Sequence, residues 1–139
     1  MAQRRRPPKE NDIINTTVDD MLRRGVIQTS KSPWAAEPHL VKKDSGEYRF
    51  CVDFRPLNKV TVHDVFPMPR IDDLLDQLGG SKFFTSLDLA SGYWQILIDP
   101  ADRHKTAFRT SRGLYEFKSM AFGLSDAPST FQCYFFRSN

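Results

Sequence analysis

Residues 84–96 read FTSLDLASGYWQI, and this stretch decides the fold. The apolar and β-branched residues at 83–89 predict a strand that carries Asp88 near its end. The turn that follows is short and built from small residues, so another molecule could approach the backbone closely before Tyr93 closes the turn. An isolated Asp here more often simply begins a turn. The remainder of the chain has to decide between these two interpretations.

The composition is that of an ordinary globular protein. The chain has 139 residues, of which 40% are hydrophobic and 27% charged. A chain of this length forms one domain with one core. No apolar run approaches the ~18 residues that a membrane span needs, so we expect no membrane partner.

The positive charge is concentrated at the amino terminus. Four of the 20 basic residues but only one of the 17 acidic residues lie among the first ten positions. This segment is either a nucleic-acid contact or a solvated tail. It lacks the apolar core of a secretion signal, so we expect a cytoplasmic or nuclear protein. The sequence makes no prediction of oligomeric state.

The cysteines and histidines do not suggest a zinc site. Cys51 and Cys133 lie far apart, and no histidine stands at metal-ligand spacing from either of them. We expect two free thiols, with Cys51 as a small packing residue of a strand.

The first half of the chain predicts a helix followed by a hairpin. Apolar residues recur at helical spacing between a cap at Asn11 or Asp12 and a stop at Gly25. Alternating residues then predict strands over 39–42 and 48–53, joined by a turn that contains Gly46.

The second half predicts one helix and several strands. A helix over 70–78 carries an apolar stripe that we expect to face the core, formed by Ile71, Leu74, Leu75 and Leu78. Strands are predicted at 83–89, 94–98, 105–110 and 114–119, with a further helix from Asp126. Because the elements lack βαβ regularity, the fold class is α+β.

Six ordered motifs closely resemble the reverse transcriptase of gypsy-type LTR retrotransposons, within the Pol polyprotein. They cover residues 40–44, 48–58, 66–71, 87–93, 105–108 and 122–132. The resemblance implies the fingers subdomain and an incomplete palm of a right-hand reverse transcriptase. Its implied divisions are a basic tail and helix (1–25), fingers (26–85), the first part of the palm (86–132) and a divergent tail (133–139).

The resemblance also implies an RNA-directed DNA polymerase that uses two Mg²⁺ ions. Asp88 matches the first catalytic carboxylate and metal ligand of the family, and the backbone carbonyl of Leu89 is expected to help hold one metal. The partners implied are an RNA or DNA primer-template and deoxynucleoside triphosphates. Two metals stabilise the attacking and leaving oxygens of the displacement, and each needs carboxylate oxygens.

The family's other two catalytic carboxylates are missing from this sequence. The family carries them in a Tyr-x-Asp-Asp turn, whereas the adjacent Asp pairs here, 19–20 and 72–73, fall inside predicted helices. We interpret both pairs as solvated helix faces. One carboxylate cannot hold two metals, so we expect the isolated chain to be inactive, as a fragment of the parent enzyme.

The resemblance implies five nucleotide-binding residues. Lys42 and Arg49 match the fingers residues that clamp the triphosphate, although without the motifs they would pass for exposed charges. Tyr93 matches the steric gate beneath the deoxyribose, and a core aromatic is the alternative. Phe122 and Gly123 match the loop that flanks the nucleotide.

The segment from Asp53 through Phe54 to Arg55 resembles the family's template contact, where an Arg binds phosphate or base. Phe54 could equally be an ordinary core residue. Ala121 departs from the family, which has Pro there. Two alternatives remain open: a non-catalytic nucleic-acid-binding remnant, or a domesticated interaction protein that uses the aromatic residues 134–136.

Overall fold

The computed structural model describes residues 5–63, 68–86, 92–128 and 130–131. Five strands form in it, namely β1 (Ile27–Thr29), β2 (Pro38–Lys42), β3 (Tyr48–Val52), β4 (Phe108–Thr110) and β5 (Gly113–Phe117). Three α-helices accompany them, α1 (Pro8–Arg23), α2 (Arg55–Val60) and α3 (Ile71–Gln77), with 3₁₀ turns at Gly92–Gln95 and Arg103–Thr106. This mixture is the α+β architecture predicted from the sequence.

Helix α1 begins earlier than predicted and ends where predicted. Pro8 stands at its start, where the missing N–H of proline costs nothing, so the predicted cap at Asn11 or Asp12 is wrong. At the other end Gly25 has a φ of 71°. Its N–H donates to the carbonyl of Leu22 (3.1 Å) and the N–H of Val26 to that of Met21 (3.0 Å), which is a Schellman motif.

Two antiparallel sheets organise the described residues. One has the order β1-β5-β4, and the other is the predicted hairpin of β2 and β3. Ala36 links them, because its N–H donates to the carbonyl of Ala107 and its own carbonyl accepts from the N–H of Arg109. The hairpin is thereby held beside β4.

The core lies between α1 and the three-stranded sheet, with Phe108 at its centre. Phe108 is fully buried, and the centroid of its ring lies 5.4 to 6.0 Å from those of Phe50, Tyr115 and Phe117. The helix contributes three buried residues, Ile14, Val18 and Met21. Core packing therefore joins residues early in the chain to strands more than eighty positions later.

Two predicted strands are wrong, and the one predicted over 105–110 begins only at Phe108, because Arg103–Thr106 form a 3₁₀ turn. Residues 83–86 are not a strand, and the rest of the predicted 83–89 strand lies outside the described residues. Gly92–Gln95 form a 3₁₀ turn, closed by an N–H of Ile96 that donates to Tyr93 (3.1 Å), where a strand over 94–98 was predicted. Only Leu97 makes a bridge there, with Ser119. Residues 94–98 are mostly apolar, but an apolar pattern over so short a stretch does not distinguish a strand from a 3₁₀ turn.

Helix α3 forms as predicted, but its apolar stripe is not buried. The exposed fractions of its four apolar residues are 45% to 75%. The expectation that this face packs in the core is wrong for the part of the chain that the structure describes. Periodicity identifies the apolar face of a helix but not what covers it.

Arg6 is not part of a solvated tail. Only 7% of its side chain is exposed, and its guanidinium donates to the carboxylate of Glu37 (2.8 Å) and to the carbonyl of Pro38 (2.7 Å). The amino-terminal segment is thereby tied to the start of β2.

Candidate functional site

A cleft of about 540 Å³ lies between the β2–β3 hairpin and the loop at 121–123. Its floor is apolar, whereas its rim carries charge from Arg49, Asp53 and Arg55. An apolar floor with a few charged groups at the rim is typical of ligand sites. The apolar lining includes Met21, Phe54, Trp94 and Phe117.

The cleft brings together six of the predicted site residues: Arg49, Asp53, Phe54, Arg55, Phe122 and Gly123. They come from two segments of the chain about seventy residues apart. Proximity of this kind is not visible in the sequence without a fold. The structure therefore groups the predicted template segment with most of the predicted nucleotide residues.

Asp53 and Arg55 form a two-pronged ion pair at the rim. The Nε and Nη2 atoms of Arg55 donate to the two carboxylate oxygens of Asp53 at 2.8 and 2.7 Å, and the backbone N–H of Arg55 adds a third bond (3.1 Å). This hydrogen bonding lowers the pKa of Asp53 from 3.8 to about 2. It also raises the pKa of Arg55. A phosphate group of a bound ligand would have to compete with the carboxylate of Asp53 for the guanidinium of Arg55.

Arg49 lines the cleft but Lys42 does not. In the hairpin Lys42 pairs with Tyr48, whereas Arg49 pairs with Val41. Because successive strand residues point to opposite faces, Lys42 and Arg49 project from opposite faces of the hairpin. The structure does not bring the two predicted clamp residues together.

Tyr93 stands in an aromatic cluster next to the cleft. Its ring centroid lies 4.9 Å from that of Phe122 and 5.6 Å from that of Phe131. Such tilted and edge-on contacts fix the ring's orientation. Both interpretations from the sequence, a packed aromatic and a gate beside the nucleotide, are compatible with this position.

Gly123 brings the loop close to the predicted template segment. Its φ of 91° lies in the region that favours glycine, and a Cβ at this position would stand 3.6 Å from the ring of Phe54. The loop is held by Asn58, whose side chain bonds Gly123 and Ser125.

Sequence reasoning missed two residues of the cleft. Trp94 lines it, with its ring centroid 6.0 Å from the guanidinium carbon of Arg24. It was hidden because residues 94–98 resembled a strand. Asn58 falls within the 48–58 segment that resembles the family, but a polar side chain in a short helix gives no signal of a tertiary contact.

Comparison with known proteins settles the family. A family profile described as reverse transcriptase (RNA-dependent DNA polymerase) matches residues 41–137. The chain belongs to the reverse transcriptase family. Within this family the resemblance drawn from the ordered motifs is confirmed.

The reverse transcriptase chain is similar to retrotransposon polyproteins of flies and yeast. It is 44% identical over 124 residues to the Retrovirus-related Pol polyprotein from transposon opus of Drosophila melanogaster, which covers 86% of this chain and 12% of that protein. The corresponding protein from transposon gypsy is 42% identical over 128 residues (88% and 12%). The Transposon Tf2-3 polyprotein of Schizosaccharomyces pombe is 40% identical over 126 residues (91% and 10%). The chain thus spans about a tenth of these relatives.

Solved structures confirm the fold of this reverse transcriptase chain. Native Prototype Foamy Virus Protease-Reverse Transcriptase superposes with a TM-score of 0.86 at 26% identity, covering 99% of this chain and 18% of that one. A foamy viral protease-reverse transcriptase solved with an RNA/DNA hybrid superposes with a TM-score of 0.80 at 20% identity, over the same shares. The second likeness bears on the fold alone.

The predicted metal ligands, Asp88 and Leu89, lie outside the described residues. Within the described ranges, no group of three or more His, Cys, Asp or Glu side chains is placed to hold a metal ion. No helix in the described portion has the length and apolar character needed to cross a membrane. The described carboxylates therefore do not by themselves fit a two-metal centre.

Proposed function

We propose that the residues that line the cleft supply the fingers side of the primer-template and nucleotide site of an RNA-directed DNA polymerase. The observation that carries the proposal is the convergence of Arg49, Arg55 and the 122–123 loop on one cleft. Cations at the rim suit a phosphate backbone, and aromatic residues at the floor suit bases. We keep the divisions into fingers (26–85) and palm (86–132) as part of this proposal.

Each residue has a proposed role. Arg55 contacts template phosphate or base once Asp53 releases it, with Phe54 packed beneath. Arg49 binds the triphosphate of a deoxynucleotide, and Tyr93 blocks a 2′-hydroxyl. Lys42 remains the second proposed clamp residue, although it lies on the face of the hairpin opposite to that of Arg49.

Reverse transcriptases use divalent metal ions. We propose that Asp88 and the carbonyl of Leu89 hold one Mg²⁺ when further carboxylates are present, and the ion supplies charge stabilisation for phosphoryl transfer. The 139 residues contain no Tyr-x-Asp-Asp sequence. On their own they are therefore proposed to bind a primer-template without extending it.

The test measures binding of a fluorescent RNA/DNA hybrid by anisotropy, together with primer extension in Mg²⁺. Micromolar binding with a steep salt dependence and no extension is expected. Arg55→Ala should reduce the slope of log K against log salt by about 0.9, the value for one phosphate contact. Lys31→Ala serves as the control, because Lys31 is exposed and does not line the cleft. Equal effects of both variants on affinity and slope would refute the assignment of the cleft.

A further inference from the structure

The side chain of Asn58 bridges two distant parts of the chain. Its Nδ2 donates to the carbonyl of Gly123 at 2.8 Å, and its Oδ1 accepts from the N–H of Ser125 at 2.9 Å. A single amide thus bonds one carbonyl and one N–H of the same loop. Both ends of the amide are used, so its orientation is fixed.

The same residue is tied to the predicted template segment. Asn58 lies on α2, which begins at Arg55, and its backbone N–H donates to the carbonyl of Phe54 at 2.8 Å. A second contact joins the same two regions, between His63 Nδ1 and Asp126 Oδ1 at 3.2 Å. The loop is therefore fastened to the chain that leaves the template segment.

We propose that Asn58 is a positioning residue that holds the loop at 122–125 against residues 52–54 and thereby sets the width of the cleft. This inference rests on the proposed function, because a nucleic-acid strand is the ligand for which the width matters. Asn58 itself lines the cleft, but its proposed role is exerted through its hydrogen bonds to Gly123 and Ser125. A preorganised cleft avoids the cost of ordering the loop on binding.

The chemistry of the amide makes the proposal specific. Asn58→Ala removes both bonds, whereas Asn58→Asp keeps an acceptor for Ser125 and loses the donor to Gly123. The aspartate variant should therefore keep the Ser125 bond but loosen the loop at Gly123. The two variants separate the two halves of the bridge.

The first measurement is hydrogen exchange of the Ser125 amide, followed by NMR in the full 139-residue chain. Asn58→Ala should speed this exchange by about tenfold, as expected when one bond worth about 1.4 kcal/mol is lost. Asn58→Asp should leave it near the wild-type rate. This readout needs no ligand, so it tests the bridge even if the proposed function fails.

The second measurement is hybrid affinity as a function of salt. Asn58→Ala should weaken binding by about tenfold while the salt slope stays unchanged, because no phosphate contact is removed. Arg55→Ala should change the slope. Ile14→Val is the matched control, since Ile14 is buried in the core away from the cleft lining and its truncation lowers stability alone.

Unchanged Ser125 exchange in Asn58→Ala would overturn the bridge, and an affinity loss matched by Ile14→Val would show that only stability is involved. If Asn58→Ala does not fold, the uncharged variant Asn58→Ser decides, because its side chain is too short to bond both Gly123 and Ser125: weakened binding at an unchanged slope supports the proposal, and wild-type binding overturns it. If the wild-type chain binds no hybrid, the proposed function fails, and with it the role in setting the cleft width for a strand.

Discussion

Replacing Asp53 by asparagine should strengthen nucleic-acid binding, although it removes an ordered ion pair. Arg55 is held by both carboxylate oxygens of Asp53 at 2.7 and 2.8 Å. The asparagine side chain would leave one carbonyl acceptor and no charge, so the guanidinium would be released toward a phosphate. We expect tighter binding of an RNA/DNA hybrid by roughly threefold to tenfold with the salt slope unchanged, because Arg55 makes the same single phosphate contact but no longer has to leave a carboxylate to make it.

The cost to folding should be small. The pKa of Asp53 falls from 3.8 to about 2. Without solvent screening, this pKa shift would correspond to a contribution of ~2 kcal/mol to the free energy of folding. The side chain of Arg55 is 84% exposed, however, so solvent screening reduces the contribution of Asp53 to below ~1 kcal/mol. Because the folded pKa is depressed, this contribution is present above pH 3.8 and is lost as pH falls from 3.8 through about 2.

The assay is hybrid anisotropy titrated over potassium chloride, with a double-mutant cycle. Asp53→Asn also removes a negative charge from the cleft, which by itself favours an anionic ligand. The Arg55→Ala background separates the two effects, since a gain that depends on Arg55 disappears there. A gain of the same size in that background would refute the idea that Asp53 restrains Arg55.

Three further predictions follow from the packing. Phe108→Ala should lower the free energy of unfolding by about 3–5 kcal/mol, because it empties the centre of the core; chemical denaturation measures this, and a loss below about 1 kcal/mol would contradict the core assignment. Gly123→Ala should lower stability by about 1 kcal/mol because its φ is 91°, whereas Gly92→Ala, which has no positive φ and a Cβ position 3.5 Å from the ring of Phe131, should cost less in the same denaturation series. In a chimera that adds the rest of the palm and the thumb, Tyr93→Ala should raise ribonucleotide incorporation relative to deoxyribonucleotide by about 10²-fold and Tyr93→Phe should not; an unchanged ratio in a destabilised enzyme would identify Tyr93 as a core residue only.

The sequence predicted the parts of the fold that depend on local patterns. Helix α1 and the β2–β3 hairpin follow from helical spacing, from alternation and from glycines at their ends. The 3₁₀ turn at Gly92–Gln95 could not be predicted in this way, because the same short apolar pattern fits a strand. The exposure of Leu75 on α3 also escaped prediction, since periodicity does not reveal what covers a face.

The candidate site was predicted through motifs more than through physics. Family resemblance selected Arg49, Arg55 and Gly123, and the fold then placed them on one cleft. Motifs carry no information about register, so they could not show that Lys42 faces away from Arg49. Nor could they single out Asn58, whose importance comes from two hydrogen bonds across more than sixty residues.

The most direct test of the central claim is to map where a nucleic acid binds on the 139-residue chain. Amide chemical shifts would be followed in a ¹⁵N-labelled sample titrated with an RNA/DNA hybrid. The account predicts that the largest changes lie at residues 49–55, at the Trp94 indole and at 121–125, with little change at Lys31 and Arg112, which do not line the cleft. Shifts centred on Lys31 and Arg112, with the cleft residues unmoved, would contradict it.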